Sequence, residues 1–225
     1  MKKMKKENEM ETHSDVKAKV DSQKWFYTDI VKDHFFNPKN FLSEKKANSY
    51  KADGVGLVGS PACGDMMKVW IKVNKEQDKI VAMKWSTFGC ASAIASTSML
   101  SMMVNENGGM KIDDALKIKP QDIVKRLGDL PTRKFHCSVL GDKALRAAIN
   151  DYFRKSNQIN RMIIEGSRLI DKETGVTDKD IEEAVLEGAD TLEKIQQKLK
   201  VGVSNKVCIP EVEQLIRFYK EKYFG

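Results

Sequence analysis

Three cysteines stand where a chain can hold a soft metal: Cys63 in Gly59-Ser60-Pro61-Ala62-Cys63-Gly64-Asp65, Cys90 in Thr87-Phe88-Gly89-Cys90-Ala91-Ser92-Ala93, and Cys137 in Lys134-Phe135-His136-Cys137-Ser138. Each has a glycine turn or a predicted helix start beside it. Two have a second metal-competent group within two residues, Asp65 and His136. Deprotonated thiols bind iron, zinc and copper, and a carboxylate or an imidazole can complete the shell. Three sulfurs with one harder ligand hold zinc tetrahedrally, or an iron–sulfur cluster less firmly than four thiolates would. The fourth cysteine, Cys208, reads as a small buried hydrophobe.

The elements that must position these residues are legible in the pattern. Met67, Val69, Ile71 and Val73 alternate with Met66, Lys68, Trp70 and Lys72, which predicts a strand over 66–73. Its antiparallel partner is expected over 80–86, across a polar turn at 74–79. Residues 50–58 read as extended. A first amphipathic helix around Trp25–Val31 must stop near Asn37-Pro38, because proline disfavours helical geometry in the residue before it. Residues 91–104 are small or apolar at helical spacing, so Cys90 falls between a strand and a helix, with Gly89 expected to permit the turn. Short helices are expected over 112–118 and 121–127, and a long one through Ala144, Leu145, Ala148, Ile149, Tyr152 and Phe153. Cys137 should precede that helix, with Ser138 as its cap. A helix start favours thiolate over thiol, so Cys90 and Cys137 are both expected to be reactive. The first domain is therefore α+β.

Beyond a polar break at 154–160 the pattern is all helical. A capping box at Thr177–Asp180 precedes Ile181, a further helix is expected over 190–199, and Pro210 opens a last one with Val212, Leu215, Ile216, Tyr219 and Tyr223 on one stripe. The expected organisation is a charged, disordered tail over 1–22, a first domain over 23–157, and a small helical domain over 158–225.

Composition bounds the function. The 225 residues are 41% hydrophobic and 32% charged, and no run approaches the roughly 20 apolar residues that span a bilayer. The N-terminus has charge but no apolar segment, so a secretory signal and a membrane partner are not expected. A cytoplasmic, reducing location follows, where four cysteines are metal ligands or redox thiols rather than disulfides. The net charge of +7 is interleaved with 32 acids and lacks a basic stripe with aromatics, which argues against nucleic acid. His13 and His34 read as solvated or structural, and Met99, Met102 and Met103 as core filler.

Pro-Ala-Cys-Gly-Asp, Thr-Phe-Gly-Cys-Ala-Ser-Ala and His-Cys-Ser, in this order, resemble the NifU/IscU-type iron–sulfur cluster assembly scaffold, over about residues 25–155. The resemblance implies that Cys63, Cys90 and Cys137 ligate a nascent 2Fe-2S cluster, that Asp65 makes it labile, and that His136 is a further ligand. It implies that Cys137 accepts persulfide sulfur from a cysteine desulfurase, and that the cluster passes to apo iron–sulfur proteins. Zinc is implied at the same ligands when the cluster is absent, and a homodimer is a possible assembly. The family's Leu-Pro-Pro-x-Lys loop, read by an Hsp70-type chaperone, stands here as Leu130-Pro131-Thr132-Arg133-Lys134, without the second proline. Such a scaffold is a carrier, not an enzyme. The alternatives are a zinc-binding regulatory or interaction module and a zinc hydrolase, for which the sequence offers no obvious general base.

More weakly, residues 175–210 resemble the small 2Fe-2S domain of NifU proteins and of bacterioferritin-associated ferredoxin. Where that domain has Cys-x-Cys this chain has Asp171-Lys172-Glu173, and where it has Cys-x-x-Cys this chain has Asn205-Lys206-Val207-Cys208. One cysteine of four cannot hold a cluster, so the domain is expected to fold without iron and to serve dimerisation or partner docking.

Overall fold

A computed structural model describes residues 27–59, 64–130, 134–163, 167–204 and 206–225, and only the backbone of Glu44 and His136. The expected N-terminal tail, Cys63, the altered loop at 131–133 and Asn205 lie outside the described residues.

Helix α1 spans Asp29–Phe36; Thr28 caps it by accepting a hydrogen bond from the Val31 amide, and it ends ahead of Pro38 as expected. The short α2 (Glu44–Ala47) follows. Strands β1 (Gly54–Gly59), β2 (Met66–Asn74), β3 (Lys79–Phe88) and β4 (Met110–Lys111) form one antiparallel sheet in that order. The period-2 pattern places Met67, Val69 and Ile71 on the helical side, all fully buried. The two-residue β4 is too short to show in the sequence. It depends on Gly109, whose φ of 109° leaves no room for a side chain against the Ile80 carbonyl.

Helix α3 (Ala91–Asn105) is buried on nearly every side, which its run of Ala, Ser and Thr permits. Its hydroxyls reach α1 and the segment before it: Tyr27 and Ser92 share a hydrogen bond of 2.9 Å, and His34 Nδ1 lies 2.8 Å from Ser98 Oγ. His34 is thus structural, and Met99 and Met103 join the core as expected. Helices α4 (Ile112–Ala115) and α5 (Pro120–Arg126) lead to the 20-residue α6 (His136–Lys155), which covers the sheet.

Glycine sets how closely α6 lies on β1. A side chain at Gly56 would collide with the Ala144 carbonyl oxygen and stand 2.5 Å from the Ala148 backbone nitrogen. At this edge Asp151 Oδ2 accepts a hydrogen bond of 2.9 Å from the Val55 amide, a backbone donor without a strand neighbour on that side.

The C-terminal region is helical, as expected, with one addition. Strands β5 (Leu169–Asp171) and β6 (Val176–Thr177) form a small ladder closed through Gly175, which has φ of 72°. Helices α7 (Asp178–Leu186), α8 (Leu192–Leu199) and α9 (Ile209–Phe224) follow. The predicted capping box is present: Asp180 donates its amide to Thr177 Oγ1 and accepts from the Thr177 amide.

This region has its own apolar core, which takes in Phe135 and Val139 from the start of α6. The Phe135 ring stands 5.2 Å from Phe224 and 6.2 Å from Tyr223. Beside them Glu182 of α7 accepts hydrogen bonds from Lys143 of α6 at 3.0 Å and from Lys222 at 3.0 Å and Tyr223 of α9. Burial opposes ionisation of Glu182, but Lys143 and the hydrogen bonds outweigh it and hold the carboxyl at about 2, against an ordinary 4.5.

Two measurements test this packing. Gly56→Ala is expected to cost about 2–3 kcal/mol in urea unfolding, since backbone must move to admit one methyl; a cost below about 0.5 kcal/mol would show that β1 and α6 are not locked. Because Glu182 is depressed, its contribution is present above pH 4.5 and lost as the pH falls towards 2. Glu182→Gln should therefore destabilise by roughly 1.5–3 kcal/mol at pH 7 and by little near pH 2.5, and equal costs at both pH values would remove Glu182 as an ionised clasp.

Candidate metal centre

Two helix starts and one strand start converge at one end of the sheet. Cys90 is the N-cap of α3, with extended backbone (φ −70°, ψ 170°), so the end of β3 and the first turn of the helix fix its sulfur. Cys137 is the second residue of α6. It does not precede the helix, as the sequence suggested, and Ser138 is not its cap. Ser138 instead donates to the Phe135 carbonyl at 2.6 Å, because an aromatic residue anchored in the second core starts the helix one turn early.

The two sulfurs lie 3.4 Å apart. Together with a carboxylate oxygen of Asp65, just before β2, they form a group in which all ligand atoms fall within 4.8 Å of one another. Two sulfurs on one tetrahedral ion, each about 2.3 Å from it, stand roughly 3.8 Å apart. An ion between them therefore needs an opening of only a few tenths of an ångström.

Asp65 is 8% exposed, and its Oδ2 has no hydrogen-bond partner among the described residues. A buried carboxylate oxygen left unpaired is costly, and a cation is the group that relieves it. Gly89 is what leaves room for it: a Cβ there would stand 3.1 Å from Asp65 Cγ. The glycine serves this close approach rather than the turn expected of it, since its φ is not among the positive ones.

The two thiols are not alike. Donation from Cys137 stabilises the Cys90 thiolate, and despite burial Cys90 titrates at about 6 instead of 9.0, with help from the Ala93 amide and Lys134. Cys137 moves the other way, because its proton bonds the Cys90 sulfur and it is fully buried beside that negative charge. The expectation of two equally reactive thiols is corrected to a pair that loses one proton readily and keeps the second. Lys134, half-buried before α6, is the cation that favours both thiolates.

Of the expected ligands, the structure thus brings together Asp65, Cys90 and Cys137. Cys63 lies outside the described residues. His136 opens α6, with its side chain outside the description. Cys208 is buried in the second core, apart from this group.

The sequence pattern of the NifU-like N-terminal domain family matches residues 26–159, more than half of the chain. The chain belongs to that family. A BFD-like [2Fe-2S] binding domain pattern matches residues 174–217. Among curated proteins, the NifU-family chain is 38% identical over 200 residues to the nitrogen fixation protein NifU of Nostoc sp., covering 88% of this chain and 65% of the relative. It is 46% identical over 136 residues to the iron-sulfur cluster assembly scaffold protein IscU 1 of Archaeoglobus fulgidus, covering 60% of this chain and 82% of that one. It is likewise 46% identical over 134 residues to the mitochondrial iron sulfur cluster assembly protein 2 of Saccharomyces cerevisiae, covering 60% and 82%. The chain thus spans about two thirds of the length of the NifU relative.

Sequence reasoning missed Phe135 as an anchor, although an aromatic residue just ahead of a helix is a usable signal. Nothing in the sequence distinguished the acidity of Cys90 from that of Cys137, because only their contact does so.

The thiol pair can be tested on metal-free protein. Alkylation of Cys90 by iodoacetamide, followed by peptide mass spectrometry across pH, is expected to be half-maximal near pH 6 and to move towards 9.0 in Cys137→Ala. A midpoint indifferent to Cys137→Ala would mean that the helix start alone sets the acidity.

Proposed function

We propose that this chain is a scaffold on which a labile 2Fe-2S cluster is assembled and from which it is passed to apo iron–sulfur proteins, with Cys63, Cys90 and Cys137 as thiolate ligands and Asp65, with His136, completing the shell. The observation that carries this reading is the convergence of Cys90, Cys137 and a carboxylate oxygen of Asp65 within 4.8 Å of one another. Cys63 stands two residues before Asp65 in sequence and is the third thiol of the NifU/IscU-type motif. Membership of the NifU-like family and the names of its scaffold relatives support the cargo.

The thiol pair supports a sulfur-accepting step. A cysteine desulfurase presents a cysteine persulfide, and the Cys137 sulfur attacks its terminal sulfur. A sulfur–sulfur bond forms on Cys137 as the one on the desulfurase breaks, and the desulfurase thiolate leaves. Cys137 must lose its proton first, and the Cys90 thiolate 3.4 Å away is the base placed to take it. Two electrons from an external reductant then bring the sulfane sulfur to sulfide, and iron joins at the thiolates. A carboxylate in place of a fourth thiolate leaves one weak corner, and a carrier must release what it holds. We assign this chemistry to the reducing cytoplasm, and residues 23–157 and 158–225 to separate domains. An Hsp70-type chaperone would have to accept Leu130–Lys134 without the second proline.

The same atoms also suit a tetrahedral zinc ion, in the cluster-free protein or in a zinc-based regulatory module. Anaerobic incubation with ferrous iron, cysteine and a cysteine desulfurase separates these readings. The cluster reading expects visible charge-transfer absorption, its loss in Cys63→Ser, Cys90→Ser or Cys137→Ser, retention in Cys208→Ser, and a cluster lifetime at least several-fold longer in Asp65→Ala. Before iron is added, mass spectrometry should find the extra sulfur on Cys137. Absence of the absorption, with stoichiometric zinc retained, would replace the scaffold with the zinc module.

A further inference from the structure

The match to a BFD-like [2Fe-2S] binding domain over residues 174–217 raises the question whether the C-terminal unit holds a cluster of its own. Its residues do not fit one. The position of the earlier cysteine pair is held by Asp171 and Glu173, and that of the later pair by Asn205 and Cys208. The one group of possible metal ligands among the described residues is Asp65, Cys90 and Cys137, which lies elsewhere. Cys208 is 8% exposed and packed in the apolar core, where burial raises its thiol above the usual range.

The Asp171 carboxylate is spent in another way. It is 3% exposed, and its two oxygens accept hydrogen bonds from backbone: Oδ2 from the Gly202 amide at 3.0 Å, 31 residues away, and Oδ1 from the Glu173 amide at 3.0 Å. Thr174 adds its hydroxyl and its amide. One carboxylate thereby ties the loop that carries one pair of cluster positions to the loop before α9 that carries the other.

A unit this small rarely stands on its core alone; chains below ~70–80 residues usually carry a metal, a disulfide or a partner surface. Here the missing staple has two replacements. One is the Asp171 bridge. The other is docking on α6, where Phe135 and Val139 enter the second core and Lys143 enters the Glu182 cluster. Phe135 is two residues from Cys137.

We propose that the C-terminal unit is a metal-free brace: the Asp171 carboxylate closes its loops in the place of a cluster, and the unit clamps the first turn of α6, fixing the position of the Cys137 sulfur. That Cys137 is the residue being positioned for chemistry rests on the scaffold reading, whereas the brace itself does not.

The test uses the full-length chain in two parts. A Cys63→Ser, Cys90→Ser, Cys137→Ser variant, incubated anaerobically with ferrous iron and sulfide and then desalted, is expected to retain neither iron nor visible charge-transfer absorption. One 2Fe-2S cluster per chain in that background would overturn the proposal. In metal-free protein, Asp171→Ala is expected to speed amide hydrogen exchange at Gly202 and Glu173 and, at least tenfold, in the first turn of α6. Asp171→Asn, which keeps one acceptor oxygen, should give a smaller change of the same pattern if Asp171→Ala melts the whole unit. Faster exchange at Gly202 and Glu173 with the α6 turn unchanged would overturn the clamp. Should the wild-type chain assemble no cluster, the scaffold reading fails while the exchange result still decides the brace.

Discussion

Two sulfurs 47 residues apart in sequence lie 3.4 Å apart in space, and much of the fold answers to holding them there. Each hangs from the beginning of a helix, so the separation is set by how α3 and α6 sit on the sheet. The β2–β3 register, pairing Met66 with Phe88, fixes where the chain leaves the sheet for Cys90 and where Asp65 enters it. The height of α6 is fixed by backbone contact, because Gly54 and Gly56 of β1 leave no side chain between strand and helix. A helix resting on backbone cannot drift by rotamer change as one resting on long side chains can. The sulfur position is therefore as firm as the strand beneath it.

The electrostatics of the group run against its burial. Metal-free, it holds a thiolate at Cys90, a carboxylate oxygen at Asp65 without a hydrogen bond among the described residues, and a second thiol that resists ionisation because those charges are close. Lys134 and the two helix starts supply partial compensation. A cation binding here relieves all of these costs together. The same crowding limits how tightly anything is held, since a carboxylate is a poorer partner for iron than a fourth thiolate. Firm geometry with unsatisfied charge is the combination that the proposed carrier would need, as a carrier must recognise its cargo and also let it go.

Much of this was legible in the sequence where a local signal existed. Alternation along Met66–Val73 fixed the buried face of β2; the small residues of α3 announced a helix pressed from all sides; Thr177 and Asp180 declared their capping box. The group of Asp65, Cys90 and Cys137 was legible as residue types and neighbours, because thiols beside glycines and predicted helix starts mark themselves. What stayed hidden was set by tertiary contact. Gly89 looked like a turn glycine, yet its service is to leave space for Asp65. The start of α6 was placed too late because Phe135, anchored in a core built mainly from residues 35 to 88 positions further on, draws the helix back before Cys137. The β5–β6 ladder is too short for any periodicity to reveal.

The sharing of α6 between two cores has a mechanical consequence. Cys137 and Leu140 pack into the first core, while Phe135 and Val139, on the opposite side of the same turn, pack into the second. Residues two apart on a helix point in roughly opposite directions, so the two cores grip this turn from both sides. A ligand that moves the Cys137 sulfur away from Cys90 must carry the turn with it, and the displacement is resisted by the aromatic contacts of Phe135 with Tyr223 and Phe224 as well as by the sheet. Packed interiors transmit such a shift rather than absorb it. The C-terminal unit consequently enters the energetics of the thiol site without contributing a ligand, and its loss of cysteines leaves that coupling intact.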